Sequence, residues 1–342
     1  MATALQVFDK LQVGIEAVGA KGTLVAATRQ LIGNHGWSEE QDFYRSPYPA
    51  GYRATPGGAG VIMRKGVSLD IETELSAEDA LWPLMTGVLG SVSPSTSDTT
   101  AKTWVFSPEL TTAAVTIQSL TAEFIHGDGT TNHYYGESGY MLTQEFSYEW
   151  AYNQVAKMKA KLFGRARQTD TPTPALVPYP TREALVSNAL IVSLDTTWAG
   201  LGGSALTGIV RSANFVCQTG YAPDYTLAGR SDVDHTGHKV GMIGGTLSLV
   251  MEFDANGAAA ALTNWRANNI VFIRLKNTGS LAGAATVYRT VQVDGAYRFV
   301  STPTFSADGE QVLVTVSLEA VRDTTANKIL EFTAINKLAA IA

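Results

Sequence analysis

The chain has 342 residues, 45% of them hydrophobic and 16% charged, a composition that supports sizeable cores and excludes extended disorder. Its 25 Lys and Arg against 31 Asp and Glu leave a net charge of −6, which excludes a surface built to grip phosphates. The single cysteine, Cys217, excludes an intramolecular disulfide.

The first 65 residues are rich in Gly, Pro and aromatics, with Tyr44, Pro47, Tyr48, Pro49 and Tyr52 followed by Pro56 to Gly60. This punctuation predicts a long arm or loop. Asp9, Lys10 and Glu16 interrupt the apolar runs near the start, and no later stretch reaches the 18 or so apolar residues that span a bilayer, so a soluble, cytoplasmically synthesised chain without membrane contact is expected. From position 67 the pattern turns to alternation. Val67, Leu69 and Ile71 are apolar, while Ser68, Asp70, Glu72 and Glu74 are polar or acidic, the mark of a half-buried strand.

Ser76, Glu78 and Asp79 ahead of Leu81, Trp82, Leu84 and Met85 predict a capped short helix ending near Gly87 or Gly90, with acids in its first turn. Strands are expected at 102–106 and 113–125, a turn at Gly127-Asp128-Gly129, a strand at 133–135 and one long strand from 139 to about 164. Within that last run Phe146, Tyr148 and Trp150 alternate with Glu145, Ser147 and Glu149. Four prolines between 168 and 182 rule out a central strand or helix and predict a linker.

After the linker the order of elements repeats. Residues 246–254 alternate Leu247, Leu249, Met251 and Phe253 with Ser248, Glu252 and Asp254, and a short helical stretch at 257–268 follows, as after the strand at 67–74. Strands at 270–276 and 286–293, a turn at Asp294-Gly295 and a long strand at 311–322 complete the second half. There Val314, Val316 and Leu318 alternate with Thr315, Ser317 and Glu319. The boundaries are therefore 1–167, a linker at 168–182, and 183–342.

Chemistry-bearing patterns are sparse. Asp232, Asp234, His235 and His238 sit close together, but the His-x-x-His spacing lies in a loop and no Cys or second cluster completes a metal set. Gly57, Gly58 and Gly60 open no helix, and Gly136-Glu137-Ser138-Gly139 stops short of G-x-S-x-G because position 140 is Tyr. Asp70, Glu72 and Glu74 on one strand face fit a charged surface better than a hydrolytic carboxylate pair. Cys217 reads as a small core residue. Lys157, Lys159, Lys161, Arg165 and Arg167 form a basic cluster expected to meet acidic partners on a neighbouring subunit or to face solvent, with a nucleic-acid patch as the alternative.

A strand with alternating acids, a short helix with Leu and Trp, a β-meander and a long closing strand, over 67–90 and 113–163 and again over 270–276, 288–294, 302–321 and 329–335, resemble the tail tube (major tail) proteins of long-tailed bacteriophages. The resemblance implies a mainly β chain with two tandem β-sandwich or barrel domains, each with a short flanking helix, forming a ring with a continuous inner β-barrel. It implies a structural virion protein, not an enzyme, with no cofactor, made in the host cytoplasm and resident in the phage tail. Its partners would be itself, in stacked rings that are trimeric by preference and hexameric as the alternative, the tape measure and other tail proteins, and double-stranded DNA passing without specific binding. The region 36–60 would connect rings, and Asp70, Glu72, Glu74, Glu145, Glu149, Glu252, Asp254 and Glu319 would face the lumen. Competing readings are a distal tail or tail-terminator ring, and a β-sandwich hydrolase or glycan-binding module.

Overall fold

The computed structural model describes residues 9–44, 61–89, 92–98, 100–111, 117–127, 132–167, 173–174, 176–226, 233–254, 258–284, 286–309 and 311–341. The protein is mainly β, 55% strand with two helices. In chain order the elements are β1 (Lys10–Ile15), β2 (Arg29–Leu31), β3 (Asn34–Tyr44), β4 (Val61–Glu74), α1 (Leu81–Gly87), β5 (Ser95–Thr96), β6 (Lys102–Phe106), β7 (Leu120–Gly127), β8 (Asn132–Ala151) and β9 (Lys157–Gly164). There follow β10 (Leu190–Asp195), β11 (Val210–Gln218), β12 (Tyr221–Asp224), β13 (Gly237–Val240), β14 (Gly244–Glu252), α2 (Ala258–Arg266), β15 (Val271–Leu281), β16 (Tyr288–Phe299), β17 (Thr304–Asp308), β18 (Gln311–Ala320) and β19 (Leu330–Asn336). All strands but β12 and β13 belong to one seventeen-stranded antiparallel sheet, which does not close on itself among the described residues.

The strand pairing occurs twice. In the first half the hydrogen-bonded order is β1–β7–β8–β9–β4–β3, and in the second it is β10–β15–β16–β18–β14–β11. Each ladder has its helix directly after the corresponding strand, α1 after β4 and α2 after β14. In both halves the chain passes from one layer into the other at the same place in the order. In the first it does so within β8, whose early residues pair with β7 and whose later ones pair with β9. The change of partner falls at a bulge holding Tyr140 at φ 58°, where the strand bends. In the second half the same path is divided between β16 and β17, both of which pair with β18.

The two ladders are joined by β8 and β11, which pair over seven residues from Ser212↔Ala151 to Gln218↔Glu145. A second stitch runs the other way: β6, from the first half, pairs with β19, from the end of the chain. A single core runs through both halves, with Phe146 packed on Phe215 at 6.5 Å and on Phe332 at 5.4 Å between ring centroids.

Several sequence expectations are corrected. The first 65 residues are not all arm, because β1, β2, β3 and the start of β4 lie there; residues 45–60 of the expected connector fall outside the described residues, as do 128–129 of the expected turn. The long strand expected over 139–164 is two antiparallel strands. Its break is at Tyr152–Gln154, where Asn153 takes φ 56°, a left-handed conformation Asn tolerates in turns. The expected strand at 133–135 is the opening of β8, continuous with the run beyond it. Asp294 and Gly295 form no turn but lie inside β16, with Asp294 held by both Nε and Nη2 of Arg274 at 2.7 and 2.8 Å.

The acids expected in the first helical turn instead precede it and are buried. Ser76 Oγ accepts from the Asp79 N–H at 3.0 Å, which shapes the approach to α1. Asp79 then meets Arg182 Nε at 2.6 Å, and Glu78 meets Arg289 at 3.5 Å. Burial raises the pKa of both carboxyls, and the arginines only partly oppose it. Arg289 stands on β16 and also bonds Glu183, so this ion cluster ties the turn before α1 to the linker and to the second ladder.

A second buried carboxyl pair lies in the outer layer. Glu123 and Glu137 face each other across β7 and β8. Glu123 accepts from Thr173 N–H at 3.0 Å and Gln12 Nε2 at 3.2 Å, whereas burial, then the Glu123 charge, push Glu137 up to about 7. Folded Glu137 therefore keeps its proton over a range in which the unfolded chain has lost it. Its stabilising contribution is full below pH 4.5 and declines as pH rises towards 7.

Two outcomes follow. Arg289→Ala leaves Glu78 buried and uncompensated and lowers unfolding free energy by about 3–5 kcal/mol in urea titrations, and adding Glu78→Gln recovers most of that loss. Glu137→Gln raises the Tm at pH 8 by a few degrees while leaving it unchanged at pH 4, so that thermal melts across pH show a flatter profile than the parent.

Candidate functional site

The surface that gathers most of the residues singled out from sequence is one face of an eight-stranded run, β3–β4–β9–β8–β11–β14–β18–β17. Period-two alternation builds it. On β4, Val67, Leu69, Ile71 and Thr73 turn inward and are buried, so Ser68, Asp70, Glu72 and Glu74 turn outward. The outward set on β8 is Glu145, Ser147 and Glu149, and on β18 it is Thr315, Ser317 and Glu319. Glu252 closes the outward row on β14.

Of the eight acids, seven thus share this face. Asp254 does not. β14 ends at Glu252, and the Asp254 carboxylate turns to the start of α2, where it accepts the Ala258 N–H at 3.2 Å.

Three residues of the basic cluster share this exposed face. Lys157, Lys159 and Lys161 lie between the acids, because β9 sits between β4 and β8. Asp70, Lys161 and Glu145 form one cross-strand row, Glu72, Lys159 and Ser147 the next, and Glu74, Lys157 and Glu149 the third. Lys157 reaches Glu72 at 3.4 Å and Lys159 reaches Glu149 at 3.0 Å, the second contact raising the lysine pKa. Arg165 and Arg167 leave the strand and cover the rings of Tyr140 and Tyr134.

In the second half Arg211 pairs with Glu252, and Arg298 lies opposite Glu319 across β16 and β18. Exposed pairs of this kind each contribute about 0–1 kcal/mol to stability. Their larger effect is on the field. Between them Ser147, Asn214, Thr246, Ser248 and Thr315 supply amides and hydroxyls, leaving a weakly acidic, hydrogen-bonding wall without a cationic patch.

The two ends of the run are open. Among the described residues the only ladder partner of β3 is β4 and that of β17 is β18. At the β17 end the core-facing side of the sheet is incomplete. Phe305 lies opposite the fully buried Val314, yet it is 58% exposed, and Phe253, its T-shaped neighbour at 5.9 Å, is 48% exposed. At the β3 end Trp37 lies parallel to Phe124 at 5.9 Å and so close to Gly136 that a Cβ there would stand 2.9 Å from the indole. Beyond it, Glu39 to Tyr44 and the first residues of β4 extend as a mostly exposed hairpin. Edge position depends on which strands pair across the chain, so neither Trp37 nor Phe305 carried a local signal.

The remaining candidates are structural. His235 is buried against Tyr140 and Phe163, and His238 Nδ1 is 3.1 Å from Tyr140 Oη, its pKa lowered by burial. Positions 231–232 of that loop, like Gly57, Gly58 and Gly60, lie outside the described residues, and among the described residues no three His, Cys, Asp or Glu group to hold a metal ion. Cys217 is buried opposite Phe146, and burial pushes its thiol pKa up. Neither helix is long and apolar enough to cross a membrane.

No protein-family model matches the chain, and no curated protein matches it.

Neutralising the three β4 acids together (Asp70→Asn, Glu72→Gln, Glu74→Gln) leaves Lys157, Lys159 and Lys161 balanced only by Glu145 and Glu149 of β8, a local excess of positive charge. On a heparin column the parent flows through at about 0.1 M salt, and the triple variant is retained and elutes as ionic strength rises.

Proposed function

We propose that the protein is a structural subunit of a bacteriophage tail tube, which joins copies of itself edge to edge into rings that stack into a conduit for double-stranded DNA. The observation that carries this reading is the join between β8 and β11: within the eight-stranded run two ladders of the same strand order meet edge to edge there, and the run ends with the same two kinds of edge, β17 and β3, open. Repeating that join between chains adds ladders indefinitely until a ring closes. Closure removes the unpaired edges, which otherwise invite irregular aggregation.

With two ladders per chain, three chains supply six. Eight strands from each chain then make a barrel of 24, and at about 4.8 Å per strand and a tilt near 40° such a barrel is roughly 45–50 Å across, backbone to backbone. Allowing for side chains, the bore admits a double helix. The wall it presents suits passage. A cationic lining would retain DNA through its phosphates, whereas the lysines here are interleaved with acids.

In this reading the projecting β3–β4 hairpin reaches towards the neighbouring ring, the tape measure protein fills the tube before DNA does, and other tail proteins cap its ends. The protein is then a virion component made in the host cytoplasm, with no catalytic role and no cofactor.

Negative-stain electron microscopy over a concentration series, with particle mass measured alongside, tests the proposal. Hollow tubes with three chains per ring are expected. Six chains per ring would mean that each chain contributes a single unit, isolated rings that never stack would indicate a tube-end component, and monomers at every concentration would overturn the reading.

A further inference from the structure

The internal join also contains a register. Just past the end of β4 the Leu75 N–H donates to Ala156 O at 2.7 Å, and just past the end of β14 the Phe253 N–H donates to Val312 O at 2.8 Å. These equivalent bonds set Glu74 against Glu252 and, two residues further along β9 and β18, Met158 against Val314. Met158 faces Tyr148, and Val314 faces Phe305. On the opposite side of each ladder, Leu69 faces Trp37 and Leu247 faces Phe215. Tyr148 and Phe215 are the residues that meet inside the chain.

We infer that β17 of one copy pairs antiparallel with β3 of the next, with Phe305 opposite Trp37, Thr304 opposite Ser38, Ser306 opposite Gly36 and Ala307 opposite His35. This rests on the ring reading above and adds the partner strand and its alignment.

Three features support the alignment beyond the correspondence itself. The central pair is aromatic in both places, Tyr148 with Phe215 inside the chain and Phe305 with Trp37 between copies. Beside it a large residue meets a small one in both places, Trp150 with Ala213 and His35 with Ala307, with the large partner on the opposite strand. Burial agrees: Tyr148, covered by β11, is fully buried, while its counterpart Phe305, with no strand beside it, is 58% exposed. Sliding β17 by one residue would turn Phe305 to the polar face, and sliding it by two would set it against His35 or Glu39. His35 can be covered without stranding a charge, since burial already holds its pKa down at about 4. The other strands with a single ladder partner are poorer candidates: β2 has three residues and β5 two, β10 is already bonded along its other side by residues 204–206, and β12 and β13 form a separate two-stranded sheet.

Paired cysteines test the register. Residues directly opposite on antiparallel strands have Cα atoms about 4.5–5.5 Å apart, within disulfide range, whereas a diagonal pair is about 7–8 Å apart. The variant Ser38→Cys with Thr304→Cys, assembled reduced and then mildly oxidised, is expected to run as a covalent trimer on a non-reducing gel. Ser38→Cys with Ser306→Cys is expected to stay largely uncrosslinked, and buried Cys217 takes no part. Cross-linking only in the offset pair would overturn the register and leave the tube reading standing. Normal tubes with no cross-link in either pair would overturn the β17–β3 contact. Failure of the parent protein to assemble at all would overturn the proposed function, and this inference with it.

Discussion

The pairing of β8 with β11 is the constraint on which the rest of the structure depends. β8 is twenty residues long because it serves three neighbours: its early part completes the outer layer with β7, and its later part lies between β9 and β11. The later part therefore has a bonding partner on each edge and side chains sealed on its inner face. Phe146, Tyr148 and Trp150 are all buried, and Phe215 and Phe332 close over them. Splitting the chain at the linker would expose these aromatics on one side and strand Phe215 on the other. The two ladders are related by pattern but are not independent bodies.

The same geometry explains why charge sits where it does. A strand flanked on both edges carries charge at least cost on its solvent face, and there each side chain stands about 5 Å from those on neighbouring strands. Three acids in a row on β4 would repel one another without a countercharge. The lysines of β9, one strand away and in register, supply it. Where salt bridges are buried the logic changes, because Glu78, Asp79, Arg182 and Arg289 hold the α1 turn, the linker and β16 together only as a complete set.

Local alternation made much of this legible in the sequence. The strands at 67–74, 102–106 and 311–320, the helix after 258 and the repeated order of elements all follow from period-two or helical patterning within a few residues. Features decided by distant partners were not legible. Glu78 and Asp79 resemble ordinary first-turn acids until Arg289, some two hundred residues away, is placed against Glu78 and Arg182, some one hundred away, against Asp79. The alternation across 139–164 hid a turn because within residues 152–154 only Asn153 adopts the left-handed conformation and the runs on either side keep strand character. Asp294-Gly295 has turn composition, yet a bidentate arginine makes the aspartate acceptable inside a strand. Seven of the eight candidate acids could be assigned to one face from parity alone, but their lysine neighbours could not, since parity carries no information about which strand lies next to which.

The open edges bring a conflict that the sequence handles unequally. An exposed strand edge with apolar residues beside it is a route to uncontrolled pairing, and charge or proline near the edge is the common defence. β3 is defended: Glu39, Glu40 and Asp42 line its outer half, and Arg64 on β4 bonds Asp42 at 2.8 Å instead of pointing clear of the hairpin. β17 has only Asp308 at its tip and Pro303 before its first residue, with Phe305 and Phe253 left uncovered. A chain meeting another of its kind by two β17 edges gains aromatic contact but has no template for register, whereas β17 against β3 reproduces a join the chain already makes within itself. For the proposed assembly, the asymmetry of the two edges favours head-to-tail addition over self-pairing, the condition for a closed ring in place of a dead-end dimer.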